Sequence, residues 1–214
     1  MSKTDRLAKD PEKERRILAS AAVAFAEKGY RKSRVEEIAK AADVSKGLVF
    51  KYYQTKENLY LQTLKVAADR VMTAVDYNVW QESEDLVQMV VNATRYKISL
   101  QLKYPTEFKL LITALTQSSQ LPRAVGEYVN GAFITNADLQ KEMLTPVIQR
   151  QKLKPGVKID DVYEMIQWIE TGFYQKIQSY LQSHPDITVI EDMDELIDQM
   201  TRYFSIFEHG FIAD

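Results

Sequence analysis

The 214-residue sequence contains no cysteine, which excludes disulfides, thiol nucleophiles and cysteine-ligated metals. Its only two histidines, His184 and His209, lie far apart in the chain. No stretch approaches the roughly 20 apolar residues that span a bilayer. Residues 1–14 are charged throughout and lack the apolar core of a signal peptide, so a soluble, cytoplasmic protein is expected. Seven glycines and six prolines are few for this length, which favours long helices over many short strands and turns. The expectation is an all-α fold with no catalytic set, no cofactor and no metal.

What is present is unevenly distributed. Residues 1–60 carry 14 Lys and Arg against 9 Asp and Glu, a net of +5, while the rest of the chain carries −7. A basic head on an acidic body suggests that the head meets a polyanion.

Asp10-Pro11 predicts a helix start, with Asp as N-cap and Pro in the first turn. Ile17, Leu18, Ala21, Ala22 and Phe25 continue it as an apolar stripe, and Gly29 ends it. Ser33 and Glu36 read as a capping box opening a second helix, with Val35, Ile38, Ala39 and Ala42 on its buried face. A tight turn at Asp43-Val44 leads to Ser45, the cap of a short third helix reaching about Tyr53. Thr55 then caps a long fourth helix carrying Leu59, Leu64, Val71 and Val75. The minimal turn between helices two and three is helix-turn-helix geometry. Beyond it, helices are expected over 84–104, from Pro105 to about Leu115, and over 123–153 with breaks near Gly131 and Pro146. Lys154-Pro155-Gly156 is a linker, and two final helices span about 160–183 and 191–208. The domains expected are 1–55 for DNA binding and 56–214 for sensing and dimerisation.

On the third helix, Val49 and Tyr53 stand one turn apart and are expected in the core. Gly47, Phe50 and Lys51 share the opposite face. Such a face suits a major groove: glycine lets the backbone approach, lysine donates to a base or phosphate, and Phe50 packs on a thymine methyl. The plainer alternative for Phe50 is core, since exposed aromatics are uncommon. Arg31 and Lys32 flank this face as further phosphate donors. The candidate DNA-binding set is Ser33, Arg34, Ser45, Lys46, Gly47, Phe50, Lys51, Tyr52 and Lys56, phosphate contacts setting register and groove contacts specifying sequence. Lys3, Lys9 and Lys13 read as solvated surface.

Residues 25–59, FAEKGYRKSRVEEIAKAADVSKGLVFKYYQTKENL, resemble the DNA-binding domain of the TetR family of repressors. Phe25, Gly29, Tyr30, Ser33, Ile38, Ala39, Ala42, Val44, Ser45, Gly47, Phe50, Tyr52, Tyr53, Lys56, Glu57 and Leu59 fill the places of that pattern. Three positions depart from it. Asp43 replaces the turn glycine, Arg34 stands where a small hydroxyl is common, and Phe50 replaces a tyrosine, removing one phosphate hydrogen bond.

The resemblance implies an N-terminal three-helix domain, a larger helical ligand-binding and dimerisation domain, and a homodimer on a palindromic operator, released by a small-molecule inducer. It places the dimer contact on the last two helices. There the apolar candidates are Val162, Ile166, Ile169, Phe173 and Ile177, then Ile197, Met200, Phe204 and Phe207. An intramolecular core is the competing reading for these stripes, and Leu196 and Tyr203 extend the last helix's apolar surface to another side. The resemblance also implies an inducer pocket enclosed by helices four to eight. The candidates for its lining are Tyr77, Trp80, Tyr96, Phe108, Tyr128, Phe133, Trp168 and Tyr174, each of which ordinary core packing would also explain. An apolar or aromatic inducer is the expectation.

Three rival functions compete with this reading. An activator or architectural protein of the same fold differs only in where its site lies on the DNA. An enzyme in the helical body would have only carboxylates such as Asp160, Asp161, Glu164 and Glu170 to work with, and the first two read as a helix start. A protein-only adaptor leaves the basic ring around helix three without a purpose.

Overall fold

The computed structural model describes residues 9–133 and 137–210, and every regular element among them is helical. In order they are α1 (Pro11–Lys32), α2 (Val35–Ala41), α3 (Lys46–Tyr53), α4 (Lys56–Thr73), the single turn α5 (Asn78–Gln81) and α6 (Leu86–Lys103). There follow α7 (Pro105–Thr116), α8 (Arg123–Phe133), α9 (Ala137–Arg150), α10 (Ile159–Ser183) and α11 (Asp194–His209). The all-α expectation holds.

Local side-chain chemistry sets the helix starts. Asp10 accepts from the amides of Glu12 and Lys13 at 3.0 and 3.2 Å, Ser45 from Leu48 at 3.1 Å, and Thr55 from Asn58 at 3.0 Å. Gly29 sits at φ 70°, ψ 175°, a region essentially closed to other residues, so regular helix stops there before one further turn.

Two expectations fail locally. Ser33 does not cap α2: Arg34 occupies that place without a side-chain cap. The kink at Gly29 frees carbonyls at the end of α1, and the buried Ser33 hydroxyl is directed at them, 2.7 Å from the Gly29 oxygen and 3.0 Å from that of Ala24. Pro146 does not break α9, which runs through it. One missing N–H removes a single internal bond, and the packing of Leu144, Val147 and Ile148 on either side holds the helix.

The molecule has two apolar cores. The first joins Ile17, Phe25, Ile38, Val49, Tyr53, Leu59 and Tyr60 of α1–α4 to Leu110 and Leu115 of α7, Val129 of α8 and Leu181 of α10. Phe25 meets Tyr60 edge-on at 4.6 Å. This core therefore continues past residue 55, and α4 belongs to it. Thr113 Oγ1 on α7 donates to the Ala26 carbonyl at 3.4 Å, and Arg70 on α4 pairs with the buried Glu107 of α7 at 2.7 Å. The second core gathers Trp80, Leu86, Val90, Leu144, Ile148, Val162, Ile166 and Phe204 from α5, α6, α9, α10 and α11.

The stripes of α10 and α11 turn largely inward, so four of the residues expected at a dimer contact lie in the chain's own core. Val162, Ile166, Phe173 and Phe204 are buried within one chain. Ile169, Met200 and Phe207 pack against the second core, and Ile177 and Ile197 against the first. Helical spacing identifies residues that pack without saying against what, and the chain's own core claims the most regular stripe. Left outside are Met165 and Trp168 on α10 and Tyr203 and Ile206 on α11, Trp168 being 65% exposed.

Candidate nucleic-acid interface

α3 is anchored from behind and free in front. Val49 and Tyr53 are 1% exposed. The Tyr53 hydroxyl donates to Glu14 on α1 at 3.3 Å, and the same carboxylate oxygen takes Lys9 Nζ at 2.6 Å. Burial, reinforced by Glu14, pushes the Tyr53 phenol well above its ordinary pKa, so it remains a neutral donor. Lys9 also lies 4.3 Å from the Tyr53 ring centre, so it packs behind α3 instead of standing free as expected. The Tyr52 hydroxyl accepts from the Asp10 amide at 3.0 Å, tying α3 to the start of α1.

The turn before α3 is fixed as tightly. Asp43 adopts φ 52°, the left-handed conformation that Asp tolerates better than most residues. Its carboxylate takes Arg16 of α1 at 3.2 Å. This ion pair is largely exposed on the Asp43 side, so it positions the turn more than it stabilises the fold.

The front face carries Lys46, Gly47, Phe50 and Lys51, all exposed, with Phe50 at 37%. Phe50 is thus not core, and Lys46 Nζ stands 5.6 Å from its ring centre. A Cβ added to Gly47 would meet only the Ser45 hydroxyl, 3.9 Å away. Nothing in the protein requires a glycine there, although glycine costs a helix roughly 1 kcal/mol relative to alanine.

Other members of the candidate set are placed differently. Arg34 and Ser45 are exposed beside α3. Lys46 pairs with Glu36 of α2, and that contact holds the Glu36 carboxyl below its usual pKa. Ser33 is a correction, since its hydroxyl is buried and committed to α1. Lys56 turns back to the Arg31 carbonyl at 3.2 Å and lies over the Tyr30 ring at 4.7 Å. Burial lowers its pKa. It closes the end of α1 and stands less free than Lys51.

The aromatic residues expected to share a pocket are scattered. Tyr77, Trp80 and Tyr96 form one packed group, with Trp80 and Tyr96 edge-to-face at 5.4 Å. The Tyr96 hydroxyl accepts from Asp76 N at 2.7 Å and donates to the Ala74 carbonyl at 3.2 Å, so it closes the α4–α5 turn. Phe108 and Tyr128 pack on the first core, and Trp168 projects outward, which removes it from any internal pocket. The side chains of Phe133 and Tyr174 lie outside the described residues. Among the carboxylates weighed for catalysis, Asp160 and Asp161 do open α10.

Two charged residues of the body lie outside the candidate sites, Glu170 having been named only among the carboxylates open to an enzyme. Lys97 of α6 is exposed and Glu170 of α10 half-buried, and each influences the other electrostatically. A charged residue on an otherwise apolar helical face was the signal that could have found them.

The comparisons with known proteins agree with this geometry. A family model described as bacterial regulatory proteins, tetR family, matches residues 17–63. The Bacillus subtilis HTH-type transcriptional regulator YuxN is 41% identical over 64 residues, which is 30% of this chain and 22% of YuxN, so the match spans under a quarter of that relative. A TetR-family regulator from Agrobacterium tumefaciens superimposes with a TM-score of 0.61 at 13% identity, over 90% of this chain and 97% of that one. FadR from Bacillus subtilis, solved with stearoyl-CoA, gives 0.55 at 17% over 92% and 99% of the two chains. NalD from Pseudomonas aeruginosa, described as the secondary repressor of a multidrug efflux pump, gives 0.54 at 20% over 96% and 100%. The segment matched by the tetR family model lies on α1–α4, and the whole chain follows the fold of these solved regulators.

Proposed function

We propose that this chain is a sequence-specific transcriptional repressor that binds a twofold operator as a homodimer and leaves it when a small molecule enters the body. The observation that carries the DNA reading is the front of α3, where Gly47 is open on a helix otherwise anchored at every turn. α3 enters the major groove, Gly47 and Phe50 lie against the base edges, and Lys51 donates to a base or phosphate. Arg34, Ser45, Lys46 and Tyr52 hold the phosphates on either side, Lys46 exchanging Glu36 for a phosphate oxygen. The cytoplasm is where such a protein meets its DNA.

The division of labour follows at about residue 55, with α4 as the shared element. One short recognition helix reads too few base pairs for specificity in a genome, so two copies are needed. Met165, Trp168, Tyr203 and Ile206 offer an exposed apolar face for the second copy. That FadR was solved with stearoyl-CoA and NalD is described as a repressor supports the ligand-responsive part of the reading. A ligand that favours the released conformation 100-fold supplies about 2.7 kcal/mol, enough to matter at two half-sites.

The test is binding to DNA from the gene's own upstream region across a salt series, for the wild type and for Lys46→Ala with Lys51→Ala. The wild type is expected to prefer this DNA to unrelated sequence. The double variant is expected to bind more weakly and with a shallower salt slope. No preference in the wild type overturns the reading.

A further inference from the structure

One cation of the recognition face already has an anionic partner inside the protein. Lys46 opens α3, and its Nζ pairs with the carboxylate of Glu36 on α2. The same ammonium stands 5.6 Å from the ring centre of Phe50, one helical turn further on. Both members of the pair are about half exposed, so the contact contributes little to the fold. α3 is held without it, by the buried Val49 and Tyr53 and by the bonds that join Tyr52 to Asp10 and Tyr53 to Glu14.

The surroundings single out this pair. Glu36 and Lys46 line an open depression of about 540 Å³ between α2 and α3, together with Lys40, Asp43 and Ser45. Asp43 is turned to Arg16 of α1 at 3.2 Å, whereas Glu36 engages a cation of α3 itself. Glu37, the next residue, pairs with Lys28 of α1 at 2.6 Å. An acid in the first turn of α2 also favours the helix dipole, where no side chain caps the helix. Glu37 serves that purpose as well as Glu36 does, and neither needs a cation of α3 for it.

At Lys46, the Glu36 carboxylate occupies the place of a DNA phosphate. To reach a phosphate, Lys46 must leave Glu36, and the freed carboxylate then stands unpaired near a second anion. Both effects lower the affinity for a duplex. We propose that Glu36 is an internal competitor of DNA phosphate for Lys46, holding the DNA affinity of this protein below what its cations alone would give. The inference rests on the DNA-binding reading above and adds a residue that regulates the same face. Glutamine at position 36 keeps the shape of the side chain and removes the competing charge.

The test is fluorescence anisotropy with the full-length protein, using DNA from the gene's own upstream region and an unrelated duplex at fixed salt. The variants are Glu36→Gln, Glu37→Gln, Lys46→Met, and Glu36→Gln combined with Lys46→Met. Glu36→Gln is expected to bind both duplexes about two- to fivefold more tightly than the wild type. Without Lys46 the same substitution is expected to lose most of that gain. Glu37→Gln removes an equal charge without freeing a cation of α3 and is expected to gain less. Unchanged or weaker binding by Glu36→Gln overturns the proposal. So does a gain that persists in full in the Lys46→Met background, or one that Glu37→Gln matches, since loss of negative charge then explains it. If the wild type binds both duplexes alike, the sequence-specific reading fails, while the gain and its dependence on Lys46 still decide the role of Glu36. No binding to either duplex overturns both.

Discussion

The front of α3 and the buried acid of α10 are opposite in setting and alike in logic. On α3 the anomaly is outside: a glycine occupies an exposed helical position where alanine would serve the fold better. In the body the anomaly is inside: Glu170 keeps a carboxylate oxygen sealed from solvent where an apolar side chain would pack better. Around α1 to α4 the buried hydroxyls of Ser33, Thr63 and Tyr53 have partners, while Arg16 Nε and the Tyr60 hydroxyl have none. At the middle of the body, Glu170 Oε2 has none. The two departures differ in place: one leaves atoms out of a rigid surface, and the other leaves a carboxylate oxygen unmatched in an interior.

The comparison breaks most visibly if the head is not the rigid half. Phe25→Ala removes a fully buried ring that packs edge-on against Tyr60 and is expected to cost about 3–5 kcal/mol in chemical denaturation. A loss under 1 kcal/mol would show that the first core is loose.

The body's unmatched acid gives the next largest effect, at most about 3 kcal/mol. Because burial raises the Glu170 carboxyl from 4.5 in the unfolded chain to about 7, the folded state holds the proton more firmly. Its contribution is fully present below about 4.5 and is lost as pH rises through about 7. The difference in stability between wild type and Glu170→Gln should therefore change across that window, the variant gaining ground towards pH 8. A difference independent of pH would mean that Glu170 is solvated like a surface acid.

Gly29→Ala is expected to cost on the order of 1–3 kcal/mol, because φ 70°, ψ 175° is closed to alanine. A new Cβ would also stand 2.4 Å from the Gln117 amide oxygen, which must swing aside. Gly47→Ala should act in the other direction and more weakly, raising stability by up to about 1 kcal/mol. It should weaken DNA binding at the same time. An alanine there that leaves DNA affinity unchanged would remove the reason for keeping glycine on that face.

Much of the head was legible in the residues because its determinants are local. Asp10, Ser45 and Thr55 cap helices whose amides lie two or three positions away, and Gly29 and Asp43 take the positive φ that their types permit. The split of α3 into an inner Val49 and Tyr53 and an outer Gly47, Phe50 and Lys51 follows from helical spacing alone. Ser33 misled because its pattern fits a capping box, while a kink four residues earlier presented better acceptors.

The body was legible only as helices, since periodicity fixes which face of a helix is apolar but not what covers it. Val162, Ile166 and Phe204 have the spacing of an interface and lie in the core. Trp168 has the composition of a pocket wall and points outward. The electrostatic influence of Lys97 on Glu170 links residues that the sequence keeps 73 positions apart. Composition, caps and turn residues determined the helices, their order and the exposed face of α3, because those interactions act over a few residues. Which stripes met each other, and where two cores failed to meet, was decided only by packing, since burial is a property of distant segments brought together.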